Sequence, residues 1–104
     1  MKVHLIDPAR ESVETVDCDG SLESLRGLIG FPCLDAEEIG TGGDCLHIDE
    51  ECFLRGDAVV GRFQLDRLAP VWGRGVVTGR SRPDGRFGEP AIGLAALRAR
   101  VRFR

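Results

Sequence analysis

One stretch of this chain has an unmistakable helical period, and it is set among segments that alternate like strands. In "DGSLESLRGLIGFP" the residues Leu22, Leu25, Leu28 and Ile29 recur at helical spacing. Asp19 or Ser21 can cap the start by accepting from free backbone N–H groups, and Gly30 with Pro32 supplies the stop. This predicts a helix over about 21–29. Before it, "KVHLID" (2–7) and "SVETVDC" (12–18) flank the turn sequence "DPARE", which predicts a β-hairpin. Val3, Leu5 and Asp7 would share one face of its first strand.

After the helix the strand signals are short. "CLDAEEI" (33–39) alternates weakly, "GTGGD" (40–44) is a turn, and "CLHID" (45–49) alternates cleanly. "CFL" (52–54) is placed as a strand returning against 45–49. "RFQL" sets Phe63 and Leu65 on one face, "APVWG" reads as an irregular connection, and "GVVTG" (75–79) as a short buried strand before the Pro83-Asp84-Gly85 turn. Pro90 can open a second helix over about 91–99, and "RVRFR" can close as an edge strand with Val101 and Phe103 inward. Strands and helices do not alternate regularly, so the expected class is α+β. The expectation is a single mixed or antiparallel sheet with the 21–29 helix packed on one face. A β-grasp-like start (hairpin, helix, strand) is one arrangement this order allows. At 104 residues, with no internal repeat, residues 1–104 form one expected domain.

No apolar run approaches the roughly 20 residues that span a bilayer, and "MKVHLIDPAR" has only a short apolar patch interrupted by His4 and Asp7. The reading is a cytoplasmic protein whose thiols Cys18, Cys33, Cys45 and Cys52 are reduced. The net charge of −3 conceals a division. Residues 1–60 hold 14 acidic and 4 basic side chains, a net of −10, and residues 61–104 hold 3 acidic and 10 basic, a net of +7. Either the halves intermix and neutralise each other, or the surface is dipolar with one pole open to a charged partner.

The segment "GDCLHIDEECF" (43–53) concentrates ligand-type side chains. On a strand, Leu46 and Ile48 would face the core while Cys45, His47 and Asp49 lined the other face, with Cys52 beyond the turn. The cysteines lie 15, 12 and 7 residues apart and form no C-x-x-C, so no metal is expected, and Cys45, His47 and Cys52 are the candidate ligands if one binds. The plainer reading is a hairpin with a solvated acidic tip. Cys45 and His47 would project in parallel from one strand, with no third residue to complete a nucleophile pair. G-x-S-x-G, P-loop and G-x-G-x-x-G turns are all absent. No catalytic residue and no cofactor is therefore assigned, and Arg55-Gly56-Asp57 is a chance triplet.

Two charged groups remain as candidate binding residues. Glu37, Glu38, Glu50 and Glu51 would form an acidic face. Arg74, Arg80, Arg82 and Arg86 lie among glycines in "GRGVVTGRSRPDGRFG", with Trp72 and Phe87 nearby as stacking faces. Arginine presents a planar fork suited to phosphate or carboxylate. Nothing in the sequence indicates nucleic acid or a membrane.

Taken as a whole, the chain resembles a group of small proteins of bacteriophages and integrated mobile elements, filed as a domain of unknown function. The start "MKVHLIDP", the helix "SLESLRGLIG" followed by "CLDAEEI", the turn "GDCLHIDEECFL" and the strand "PVWGRGVVTG" carry the resemblance. Cys52 stands where the turn of that group carries glycine. The resemblance implies a bacterial host and brings no catalytic residues. It implies a non-enzymatic protein that binds a host macromolecule, possible targets including defence components, through a charged face. The alternatives are a sponge for a phosphorylated nucleotide at the arginines and a metal-binding protein at Cys45, His47 and Cys52.

Overall fold

A computed structural model describes residues 1–55 and 59–104 of the chain. Gly56 and Asp57 of the arginine-glycine-aspartate triplet lie outside the described residues. The elements are β1 (Lys2–Asp7), β2 (Ser12–Asp17), α1 (Leu22–Ile29), β3 (Leu34–Glu38), β4 (Cys45–Asp49), α2 (Cys52–Arg55), β5 (Arg62–Leu65), β6 (Val71–Trp72), β7 (Gly75–Thr78), α3 (Leu94–Arg100) and β8 (Val101–Phe103). The fold is α+β with antiparallel sheets, as the sequence suggests.

The initial hairpin and helix form where the local signals put them. β1 pairs with β2 from Lys2↔Asp17 to Asp7↔Ser12. Ser21 caps α1 by accepting from the Ser24 N–H at 3.1 Å, and Asp19 accepts in turn from the Ser21 hydroxyl. Gly30 ends the helix with φ 91°, a left-handed conformation that glycine adopts without a Cβ clash.

The expected single sheet divides in two. One sheet has the order β2-β1-β7-β4-β3 and the other β6-β5-β8. The division follows from burial. β7 lies between β1 and β4, and all four of its residues are buried. Val76 faces α1, in a cluster with Val3, Leu25 and Ile29. Val77 faces the opposite side, where Ile6, Leu46, Phe63, Leu65, Leu97 and Val101 form the larger cluster. The five-stranded sheet is thus the middle layer, with α1 on one face and the small sheet with α3 on the other.

Several expectations change for identifiable reasons. Residues 52–54 do not return as a strand, because β3 and β7 already occupy both edges of β4; the chain turns into α2 instead. The β-grasp start is also overturned, since β1 has β2 and β7 as neighbours and β3 lies at the far edge. The "APVWG" connection contains β6, which pairs Trp72 with Arg62. The second helix begins at Leu94 rather than about 91. Here the buried Asp44 carboxylate accepts from the Ala91 and Ile92 N–H groups, each at 2.8 Å, and His4 Nε2 donates to the Ile92 carbonyl at 2.8 Å. The Ile92 carbonyl is turned to His4 instead of along the helix axis, and Gly93, extended at φ −75° and ψ 159°, is the N-cap.

Two substitutions test this packing. A Cβ on Gly75 would come within 2.7 Å of Phe63 Cζ, so the two sheets meet in van der Waals contact at that point. Gly75→Ala is expected to cost about 1–3 kcal/mol by overpacking, and measurably less in a Phe63→Leu background, where the ring tip is gone. Denaturant titration of both singles and the double gives the coupling. Asp44→Asn replaces one acceptor by an amide NH2 facing a backbone donor. It is expected to cost about 2–3 kcal/mol and to speed hydrogen exchange at Ala91 and Ile92.

Candidate functional site

The 43–53 segment is not a solvated tip. β4 is buried on both faces, because α1 and its flanking loops cover the side opposite Leu46. His47 is 1% exposed and packs edge-on against Phe87, with ring centroids 4.4 Å apart. Its Nε2 lies 2.8 Å from Thr78 Oγ1, and the Thr78 hydroxyl donates to the Gly79 carbonyl at 2.8 Å. That hydroxyl has one proton to give, so His47 Nε2 carries a proton and donates. Burial pushes the imidazole pKa down to about 4, so it is neutral at physiological pH.

Asp49 is likewise 1% exposed. Arg55 Nε donates to its Oδ2 at 2.8 Å, and the same guanidinium lies over the Phe31 ring at 4.1 Å from the centroid. The carboxylate also accepts from the Glu51 N–H, which fixes the turn out of β4. Only Glu50 and Glu51 of this acidic run are exposed.

The three candidate metal ligands are not brought together. Cys45 and His47 lie on the α1 side of the sheet, whereas Cys52 is buried in the cluster on the other side with Leu46 and Phe63. Among the described residues no three His, Cys, Asp or Glu side chains are grouped to hold an ion. Burial, then the carboxylates of Glu38 and Asp44, push the Cys45 thiol up, which disfavours the thiolate needed of a ligand or nucleophile. His47 is turned to Thr78, and His4 is held between Thr15 and the Ile92 carbonyl.

Of the arginine candidates, Arg80, Arg82 and Arg86 sit together in the loop after β7, where the Arg82 N–H donates to the Arg86 carbonyl at 2.7 Å, and Arg74 is set apart from them. Arg74 precedes β7 and Arg80 follows it, so the strand separates them by roughly 20 Å. Arg74 donates to the Leu28 carbonyl and lies 3.6 Å from the buried Asp7 carboxylate. That pair borders an open cavity of about 260 Å³ lined by Ile29, Phe31 and Val60. Arg80 donates to the Gly42 carbonyl at 3.1 Å, and its guanidinium fills the space a Cβ on Gly43 would need. Arg82 pairs locally with Asp84 at 3.4 Å across the Pro83 turn. Phe87 packs on His47 instead of offering a free stacking face.

The acidic candidates do share a surface. Glu37 and Glu38 end β3, and Glu50 and Glu51 follow β4 beside the start of β3. Asp35 lies between the two pairs, so five exposed carboxylates follow one sheet edge over about 17 Å. None of the five is ion-paired among the described residues. The Ile39–Asp44 and Cys33–Glu50 bonds set the ladder phase, so the backbone groups of Leu34, Ala36 and Glu38 point away from β4. The Ala36 N–H is met by the Asp35 carboxylate of its own strand at 3.0 Å. At the opposite edge, Arg98 of α3 donates to the Val13 carbonyl of β2 at 2.9 Å.

The buried histidine gives a pH dependence of defined sign. Its folded pKa lies below the ordinary value of 6.5, so the unfolded chain takes up a proton first as pH falls. Stability is fully present above about 6.5 and falls towards pH 4, by roughly 2–3 kcal/mol from this group. Thermal melts across that range should show the loss, and His47→Gln, which keeps a donor for Thr78, should flatten it. Asp17, Asp19 and Asp66 have depressed values, so their contributions are lost at lower pH, beneath the ordinary carboxylate range.

No family model, curated protein or solved structure matches this chain.

Proposed function

We propose that the chain is a non-enzymatic binding protein that engages a partner protein through the acidic edge of β3. The observation that supports this is the state of that edge. Among the described residues its outward backbone groups have no strand partner, and the carboxylates around it have no ion-pair partner. An open edge is a template for another strand, and like charge keeps further copies of the same chain away. The complementary occupant is an extended segment rich in Lys or Arg. Asp35, bonded to Ala36, must be displaced as that segment docks, which weakens pairing with uncharged strands. The setting implied by the sequence resemblance is the cytoplasm of a bacterium carrying a phage or mobile element, and the partner is then a host protein, with defence components among the targets. The anion-sponge alternative is less favoured, because Arg74 lies at the other end of β7 from Arg80, Arg82 and Arg86, while Arg80 is turned to the Gly42 carbonyl and Arg82 to Asp84.

A peptide of alternating Val and Arg tests the edge directly. On binding, the Leu34, Ala36 and Glu38 amides should gain protection from hydrogen exchange. Charge reversal at Glu37, Glu38, Glu50 and Glu51 should slow association by about tenfold at low salt, with the difference shrinking as salt is raised. Folding stability should change little, since exposed charges contribute about 0–1 kcal/mol each. Protection appearing elsewhere, or association indifferent to the reversals, would sink the proposal.

A further inference from the structure

The two charged halves of the sequence do not neutralise each other by pairing. Of the ion pairs among the described residues, Lys2–Asp17 and Arg55–Asp49 lie within the acidic half, and Arg82–Asp84 and Arg100–Asp66 within the basic half. Arg74–Asp7 alone crosses between them. Four of the remaining arginines, Arg62, Arg67, Arg102 and Arg104, lie on or beside the small sheet. In β5, Phe63 and Leu65 face the core, so Arg62 and Gln64 face outwards. In β8, Val101 and Phe103 face inwards and Arg102 outwards; Arg104 continues that row and donates its N–H to the Arg62 carbonyl at 3.1 Å. On β6, Trp72 is directly opposite Arg62, whose guanidinium lies 5.2 Å from the indole centroid; the half-buried indole packs on the larger core cluster with part of its surface left open beside Arg62.

Beyond the Leu65 end of this face is an open cavity of about 490 Å³ lined by Asp66, Arg67, Ala99, Arg100 and Arg102. Asp66 is occupied there, since Arg100 Nε donates to both of its oxygens at 3.0 Å. Arg62, Arg67, Arg102 and Arg104 have no carboxylate partner among the described residues. No linear motif announces this face, because its residues come from three strands and a turn.

We propose that the outer face of the β6-β5-β8 sheet is a docking surface for single-stranded nucleic acid, with Arg67, Arg102 and Arg104 on phosphates and the Arg62–Trp72 pair as a stacking platform. The chemistry favours this occupant over an acidic protein. Arginine forks grip phosphate bidentately, and an indole beside a guanidinium offers planar surface to bases, which carboxylate side chains do not use. Three strands make a shallow face about 10–15 Å wide, suited to one extended strand. The surface uses other residues than the acidic edge and meets it at one corner, where Glu38, Arg67 and Arg100 line a common cavity of about 400 Å³.

Trp72 is the single tryptophan, so its fluorescence reports on the face without a label. Titration with oligothymidylate of about 12 nucleotides should quench it saturably. The logarithm of the association constant should fall with the logarithm of salt concentration at a slope of about −2, near −0.7 for each of three phosphates. Arg102→Glu with Arg104→Glu alters only exposed side chains and should weaken binding by about tenfold or more, with circular dichroism unchanged. Glu37→Arg with Glu38→Arg should not weaken it. Absence of quenching, equal affinity for poly-glutamate, or tighter binding of a duplex of the same length would overturn the proposal.

Discussion

β7 has no face to show to water. Val76 and Val77 point into opposite clusters, Gly75 is pressed against Phe63, and Thr78 is bonded to His47. Flanked by β1 and β4, this strand also joins the two hairpins, which otherwise share no ladder. The sheet, the seat of α1 and the position of the small sheet all depend on its burial. The close approach at Gly75 shows why no larger residue serves there: any side chain would displace the ring that seals the contact between the sheets.

Much of this arrangement was legible in the sequence. Capping chemistry and period placed α1, alternation with a turn placed the first hairpin, and a bounded apolar run identified β7 as buried. What escaped was set by contacts between distant residues. Alternation in "CLHID" says that Leu46 faces a core, and it cannot say that His47 and Asp49 face a second one. That depends on α1, Phe31 and Phe87 arriving from elsewhere. The start of α3 depends on His4, far back in the chain, whose ring holds the Ile92 carbonyl away from the helix, while Asp44 fixes the Ala91 and Ile92 N–H groups ahead of it. The separation into two sheets has the same origin, since each strand is too short to reveal its partner.

The candidate site was legible as residue types and less so as places. The acidic residues gather because β3 and the turn after β4 are neighbours in one hairpin. Arg74 is parted from Arg80, Arg82 and Arg86 because a buried strand runs between them. Charge separation, visible as two halves of opposite sign, survives folding in part: ion pairing is mostly local within each half, while Glu38 of the acidic edge shares cavities with Arg67 and Arg100 and with Arg80.

The strand order β2-β1-β7-β4-β3 also has a temporal meaning. The hairpins at 2–17 and 34–49 are local and can form early, in microseconds by the usual rate of hairpin closure. Neither can find the other until residues 75–78 have been made and threaded between them. A nascent chain stopped before that point would hold two half-sheets, each with an open inner edge and an unburied apolar face. Completion of the sheet therefore depends on ladder contacts of high sequence separation, which close more slowly than the local hairpins on either side.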